Sequence, residues 1–141
     1  MIPIDLAHQL RDAGLMWRPL PLDFFALPDR DMDDQIYVIS DQAAFMQLYN
    51  GYPVVAFHGA SEWALDYMLL NEVVWMPGER QLREQIELRI LPPAPLRLER
   101  TSDGYRCTAG PHTIDDPDAE SVLALILLQL LRDDTRPIDD R

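Results

Sequence analysis

Lysine is absent from the chain, and all 12 basic residues are arginine. That excludes a Schiff-base mechanism and a Walker A phosphate loop, each of which needs a lysine amine. Cysteine occurs once, at Cys107, so no internal disulfide can form and a Cys-rich structural zinc site is excluded. Bases are outnumbered two to one, with 24 acidic residues and a net charge of −12. Such a surface repels phosphate backbones and anionic lipid, which argues against nucleic-acid and membrane partners. Long apolar runs are also missing. The most apolar window, VLALILLQLL at 122–131, is about half the ~20 residues that span a bilayer. The N-terminal MIPIDLAHQLRDAG lacks the basic stretch and apolar core of a secretory signal. A soluble cytoplasmic protein is the expectation.

What is present is globular composition, 48% hydrophobic and 9% aromatic over 141 residues, enough for one core. Leu6, Leu10 and Ala13 fall on one face of a helix over about 4–13, with Gly14 as its stop. Three prolines in MWRPLPLDFFALPDR argue against a long helix there, with a short strand over 24–27. IYVI at 36–39 reads as a buried strand. Asn50-Gly51 between apolar runs predicts a hairpin pairing Tyr49 with Tyr52 and Leu48 with Pro53. In that register Pro53, Val55 and Phe57 share an apolar face, and Pro53 interrupts pairing on the outer side of its strand. A helix over 41–49 is the competing reading.

Ser61 is the expected cap of a short helix EWALDYML, followed by a strand in EVVWMP and a helix over about 79–90 stopped by LPPAP. A second hairpin is expected in LRLERTSDGYRCTAG, with Asp103-Gly104 as its turn. The last helix should start with Asp116 as cap and Pro117 in the first turn. Because Val122–Leu131 is apolar almost all round, it must lie against a sheet or in a subunit interface. The expected fold is a single α+β domain over 1–132, an antiparallel sheet of hairpins packed against helices, with a disordered acidic tail over 133–141.

Two clusters invite a chemical reading. Asp29, Asp31 and Asp33 occupy the first three ligand positions of a calcium loop, but Asp34 stands at the required glycine and Ser40 at the required glutamate. The EF-hand reading fails, leaving a polar lead-in to a strand or a divalent-metal site completed by distant acids. His58, Glu62 and Asp66, with Ser61, supply nucleophile, base and acid types within nine residues. No G-x-S-x-G elbow surrounds Ser61, and a helix cap accounts for it. His8 and His112 stand alone, and Cys107 reads as a half-buried structural cysteine, the alternative being a thiol whose pKa the adjacent Arg106 lowers a little. Trp17, Trp63, Trp75 and the tyrosines Tyr37, Tyr49, Tyr52 and Tyr67 are expected mostly in the core, with a ligand pocket or an interface as the alternative.

The stretches LPDRDMDDQIYVISD (27–41) and GASEWALDYMLLNEVVWMPGERQLREQI (59–86), with 6–17 and 118–131, resemble an uncharacterised family of small acidic bacterial proteins. These are of actinobacterial type and often carry the transferred label "pilus assembly protein". At 58–60 His-Gly-Ala stands in place of an Asn-Gly-Thr-like turn. The resemblance implies a bacterial, cytosolic protein and assigns no site residues. The leading functional reading is a non-enzymatic protein-interaction or regulatory module without a cofactor, its partner a protein or a second copy in a homodimer. The alternatives are a small metal-dependent enzyme or ligand-binding domain using the Asp29–Asp34 loop, and an acidic immunity-like protein.

Overall fold

The computed structural model describes residues 1–27, 36–39, 44–57, 67–69, 73–92 and 94–134, with backbone alone for 44–49, 55–57 and 67–69. The fold is α+β, and every strand pair among these residues is antiparallel. Its internal contacts sort into two compact units, one of Met1–Met16 with Pro77–Arg141 and the other of Trp17–Met76.

In the first unit, α1 (Ile4–Asp12) buries Leu6, Ala7 and Leu10. Gly14 N donates to Arg11 O and Leu15 N to Leu10 O, each at 3.0 Å, the paired bonds that satisfy carbonyls at a helix end. Helix α2 (Glu79–Glu87) buries Leu82 and Ile86. It ends well before the LPPAP prolines, and Arg89 Nη1 donates to Gln85 O at 2.9 Å beyond its last turn. Three strands follow, β7 (Leu96–Thr101), β8 (Gly104–Ala109) and β9 (His112–Asp116), in the order β7-β8-β9. The β7–β8 loop is Ser102-Asp103, one residue earlier than expected, because Thr101 pairs with Gly104. Strand β9 is absent from the sequence-based reading. The Gly110-Pro111 turn returns the chain so that His112 pairs with Ala109.

Helix α3 (Ala119–Asp133) is capped by Asp118, whose side chain accepts from Ser121 N at 2.9 Å. The expected cap, Asp116, instead ends β9, and its Oδ2 accepts from Asp118 N. Pairing with Tyr105 holds Asp116 in the sheet, so the first residue free to cap is Asp118. Helix α3 packs on α1, α2, β8 and β9, and Val122, Leu123, Ala124, Ile126 and Leu127 are fully buried within the chain. Each of these valine, leucine and isoleucine side chains contributes about 1.5–3 kcal/mol by leaving water. The all-round apolarity of this helix is therefore met by the chain itself. The helix runs through Asp133, past the expected start of the tail.

The second unit holds two sheets. One has the order β2-β1-β6, from β1 (Phe24–Ala26), β2 (Ile36–Val38) and β6 (Val74–Met76). Strand β2 is half-buried; only Ile39 beyond it is buried. The other has the order β3-β4-β5, from β3 (Ala44–Tyr49), β4 (Tyr52–Phe57) and β5 (Tyr67–Leu69). The β3–β4 register pairs Tyr49 with Tyr52 and Leu48 with Pro53, as the Asn-Gly turn predicts. Asn50 (φ 51°) and Gly51 (φ 82°) supply the two left-handed positions. The competing helix over 41–49 is ruled out across Ala44–Tyr49. Pairing of β5 with β4 begins at Val54, immediately after Pro53, which has no N–H to offer that side.

The burial of β4 differs from expectation. Pro53, on the expected apolar face, is exposed, whereas Val54 on the opposite face is fully buried. Tyr67–Leu69 is a strand, so the expected helix over 62–69 does not extend through it. Unpaired groups on β4 give these residues a ladder that local helix preference cannot match.

Candidate interaction site

Among the described residues, the proline-rich stretch after α1 builds the most unusual local structure. Asp23 N donates to Leu20 O at 3.1 Å, closing a four-residue turn Leu20-Pro21-Leu22-Asp23. Pro21 suits the second position, since its ring fixes φ near −65°. Leu22 holds the third at φ 72°, where a type II turn ordinarily takes glycine or asparagine. For an L-residue with a bulky side chain this region costs about 1–2 kcal/mol. Surrounding bonds hold it there. Leu22 N donates to Ile39 O, and Ile39 N to Asp23 O, both at 2.9 Å.

Asp23 is the brace. It is 5% exposed, and its Oδ2 accepts from Trp17 Nε1 at 2.9 Å and from Leu20 N at 3.0 Å. The turn is thereby tied to the indole before it and to the sheet after it. Its two leucines point outward, Leu20 63% and Leu22 74% exposed, and the neighbouring Phe24 is 43% exposed. A strained backbone that displays apolar side chains to water is a functional signal, because strain persists only where the surroundings enforce it. Sequence reasoning missed this element. Leu-Pro-Leu-Asp contains nothing that marks a leucine at positive φ.

Beneath the turn lies an aromatic row. Phe25 is buried, stacked on Tyr37 with ring centroids 5.6 Å apart and tilted against Trp17 at 5.7 Å. Pairing also sets Trp75 beside Phe25. Trp75 Nε1 is buried without a hydrogen-bond partner among the described residues. Of the aromatics expected mostly in the core, Trp17, Tyr37 and Trp75 are half-buried and Tyr52 is exposed. The side chains of Trp63, Tyr49 and Tyr67 are outside the described residues.

Elsewhere the chemistry is muted. Burial pushes the Cys107 thiol up to about 11, against the alternative of a lowering by Arg106. Adjacent strand residues point to opposite faces, and the Arg106 guanidinium is taken by Asp115 at 2.8 and 3.1 Å. That pairing holds the Asp115 carboxyl below the usual range. A cleft of about 310 Å³ beside it, reaching Asp103, Tyr105 and Asp116, is lined by this self-neutralised pair. His112 Nε2 lies 2.5 Å from Asp133 Oδ2, and His8 Nδ1 lies 3.3 Å from Arg11 Nη2.

The metal candidates Asp29, Asp31 and Asp33, and the catalytic candidates His58, Glu62 and Asp66, lie outside the described residues. Among the described residues no group of three or more His, Cys, Asp or Glu side chains is arranged to hold a metal ion. No described helix is long and apolar enough to cross a membrane. Comparisons with protein families, with curated proteins and with solved structures find no match to the chain.

Proposed function

We propose that this chain is a non-enzymatic protein-interaction module of the bacterial cytoplasm, with the Leu20–Asp23 turn as its docking element. The observation that supports it is Leu22, held at φ 72° while 74% exposed. A merely structural turn would be more stable with asparagine at that position. A net charge of −12 favours a partner that offers an apolar cleft with a cationic rim, since complementary charge speeds encounter and rejects acidic competitors. Buried apolar anchors in such a cleft carry most of the binding energy.

The test compares wild type with Leu22→Asn and Leu20→Ser/Leu22→Ser as baits, each verified as folded by far-UV circular dichroism. A basic protein captured by wild type is then purified and its affinity for all three measured. A Kd raised roughly tenfold or more for both variants, the loss from truncating buried anchors, supports the reading. Equal affinity for all three baits, or no protein that binds wild type in purified form, overturns it.

A further inference from the structure

The β7-β8-β9 sheet ends on β7, and the outward side of that strand carries a pattern no other described edge shares. Thr101 and Gly104 close a two-residue loop and so form a hydrogen-bonded pair. Alternation then directs the N–H and C=O of Arg97 and Glu99 toward β8. Those of Leu96, Leu98 and Arg100 face away from the sheet. Among the described residues no backbone hydrogen bond outside the sheet ladder uses these outward groups.

On the solvent face the charges alternate across the strands. Glu99 pairs with Arg106, and Arg106 with Asp115. Arg97 pairs with Thr108 and is exposed, as is Glu99.

We infer that β7 pairs antiparallel with β7 of a second copy, about a two-fold axis at Leu98, joining the two sheets into one of six strands. The charge pattern selects both the occupant and the register. Centred on Leu98, each Arg97 lies opposite Glu99 of the other copy, at the non-hydrogen-bonded sites where side chains approach most closely. A shift to a centre on Arg97 sets arginine against arginine, and a centre on Glu99 sets glutamate against glutamate. The Asp115–Arg106–Glu99 alternation then extends by one more charge, to Arg97 of the second copy. Strand β9 has no such self-complement, since a centre on Ile114 sets Thr113 against Asp115. Leu98, half-buried in one chain, is covered by its symmetry mate. The segment leading into β7 adds exposed apolar surface at Leu88 and Leu91. This interface belongs to the other compact unit and stands whatever the Leu20–Asp23 turn binds.

Sedimentation of the full chain tests it at physiological ionic strength, where a Debye length of about 8 Å screens the overall repulsion between acidic copies. Wild type is expected to dimerise at micromolar concentrations. Arg97→Glu replaces each of the two opposite-charge pairs of the interface by a pair of facing carboxylates. It should weaken the dimer roughly tenfold or more, while far-UV circular dichroism stays unchanged. Glu99→Arg should do the same. Mixing the two variants sets oppositely charged side chains against each other at 97 and 99 and should yield a heterodimer that neither forms alone. A monomeric wild type, a dimer indifferent to Arg97→Glu, or failure of the mixed variants to associate overturns the inference.

Discussion

Replacing Leu22 separates the energetics of the turn from its role. At φ 72° a leucine sits about 1–2 kcal/mol above its right-handed alternative. Its side chain recovers little of that, because the residue is 74% exposed. Full burial of a leucine contributes about 1.5–3 kcal/mol, so the covered quarter contributes only about 0.5 kcal/mol. Asparagine tolerates the left-handed region and is common at this turn position. Leu22→Asn should therefore stabilise the protein by about 0.5–1 kcal/mol. Glycine removes more strain but makes the unfolded chain looser by about 0.5–1 kcal/mol, leaving Leu22→Gly close to neutral. Valine, branched at Cβ, should cost about 1 kcal/mol or more. Urea denaturation followed by tryptophan fluorescence reads all four proteins, with an unchanged slope required for the comparison. Destabilisation of Leu22→Asn by more than about 1 kcal/mol would mean that the side chain anchors the fold, and the display argument would fail.

The remaining predictions concern two glycines, the buried thiol and the cap of α3. A Cβ on Gly104 would stand 2.6 Å from Asp116 O and 2.7 Å from Pro117 Cα, both backbone atoms. Gly104→Ala should cost about 2–4 kcal/mol in chemical denaturation. Gly51→Ala, whose Cβ meets open space, should cost only about 1 kcal/mol of turn strain, and equal losses would refute the contrast. Cys107, fully buried with its thiol raised to about 11, should resist alkylation at pH 8 until denaturant is added. Protein stability should fall as pH rises from the thiol's ordinary value of 9.0 toward the folded one, a loss that Cys107→Ala abolishes. Rapid native labelling would contradict the burial. Asp118→Ala should cost about 1 kcal/mol at neutral pH through loss of the α3 cap. The backbone N–H of Ser121, above all, holds the Asp118 carboxyl below its usual 3.8. Its contribution is present above that value and lost as pH falls through the folded one, so acid titration of stability should be shallower in the variant.

Where sequence patterning succeeded, the governing physics is local. Asn50-Gly51 determined both the β3–β4 hairpin and its register, since few residues accept two consecutive left-handed positions. Pro53 limited the next pairing, because a missing N–H is missing in any fold. The run Val122–Leu131 implied burial on all sides, and helix α3 is covered by two helices and two strands.

Tertiary context decided the rest. Tyr67–Leu69 became a strand because β4 offered it an edge. The cap of α3 moved from Asp116 to Asp118 because the sheet retained Asp116. Cys107 escaped Arg106 because the strand turned the two to opposite faces and Asp115 took the guanidinium. Above all, only the three-dimensional structure made Leu22 visible. Its sequence neighbourhood signals a proline-interrupted loop and nothing more. The left-handed backbone is imposed by a buried carboxylate, an indole N–H and the carbonyl of Ile39, partners brought together by the fold rather than by sequence pattern.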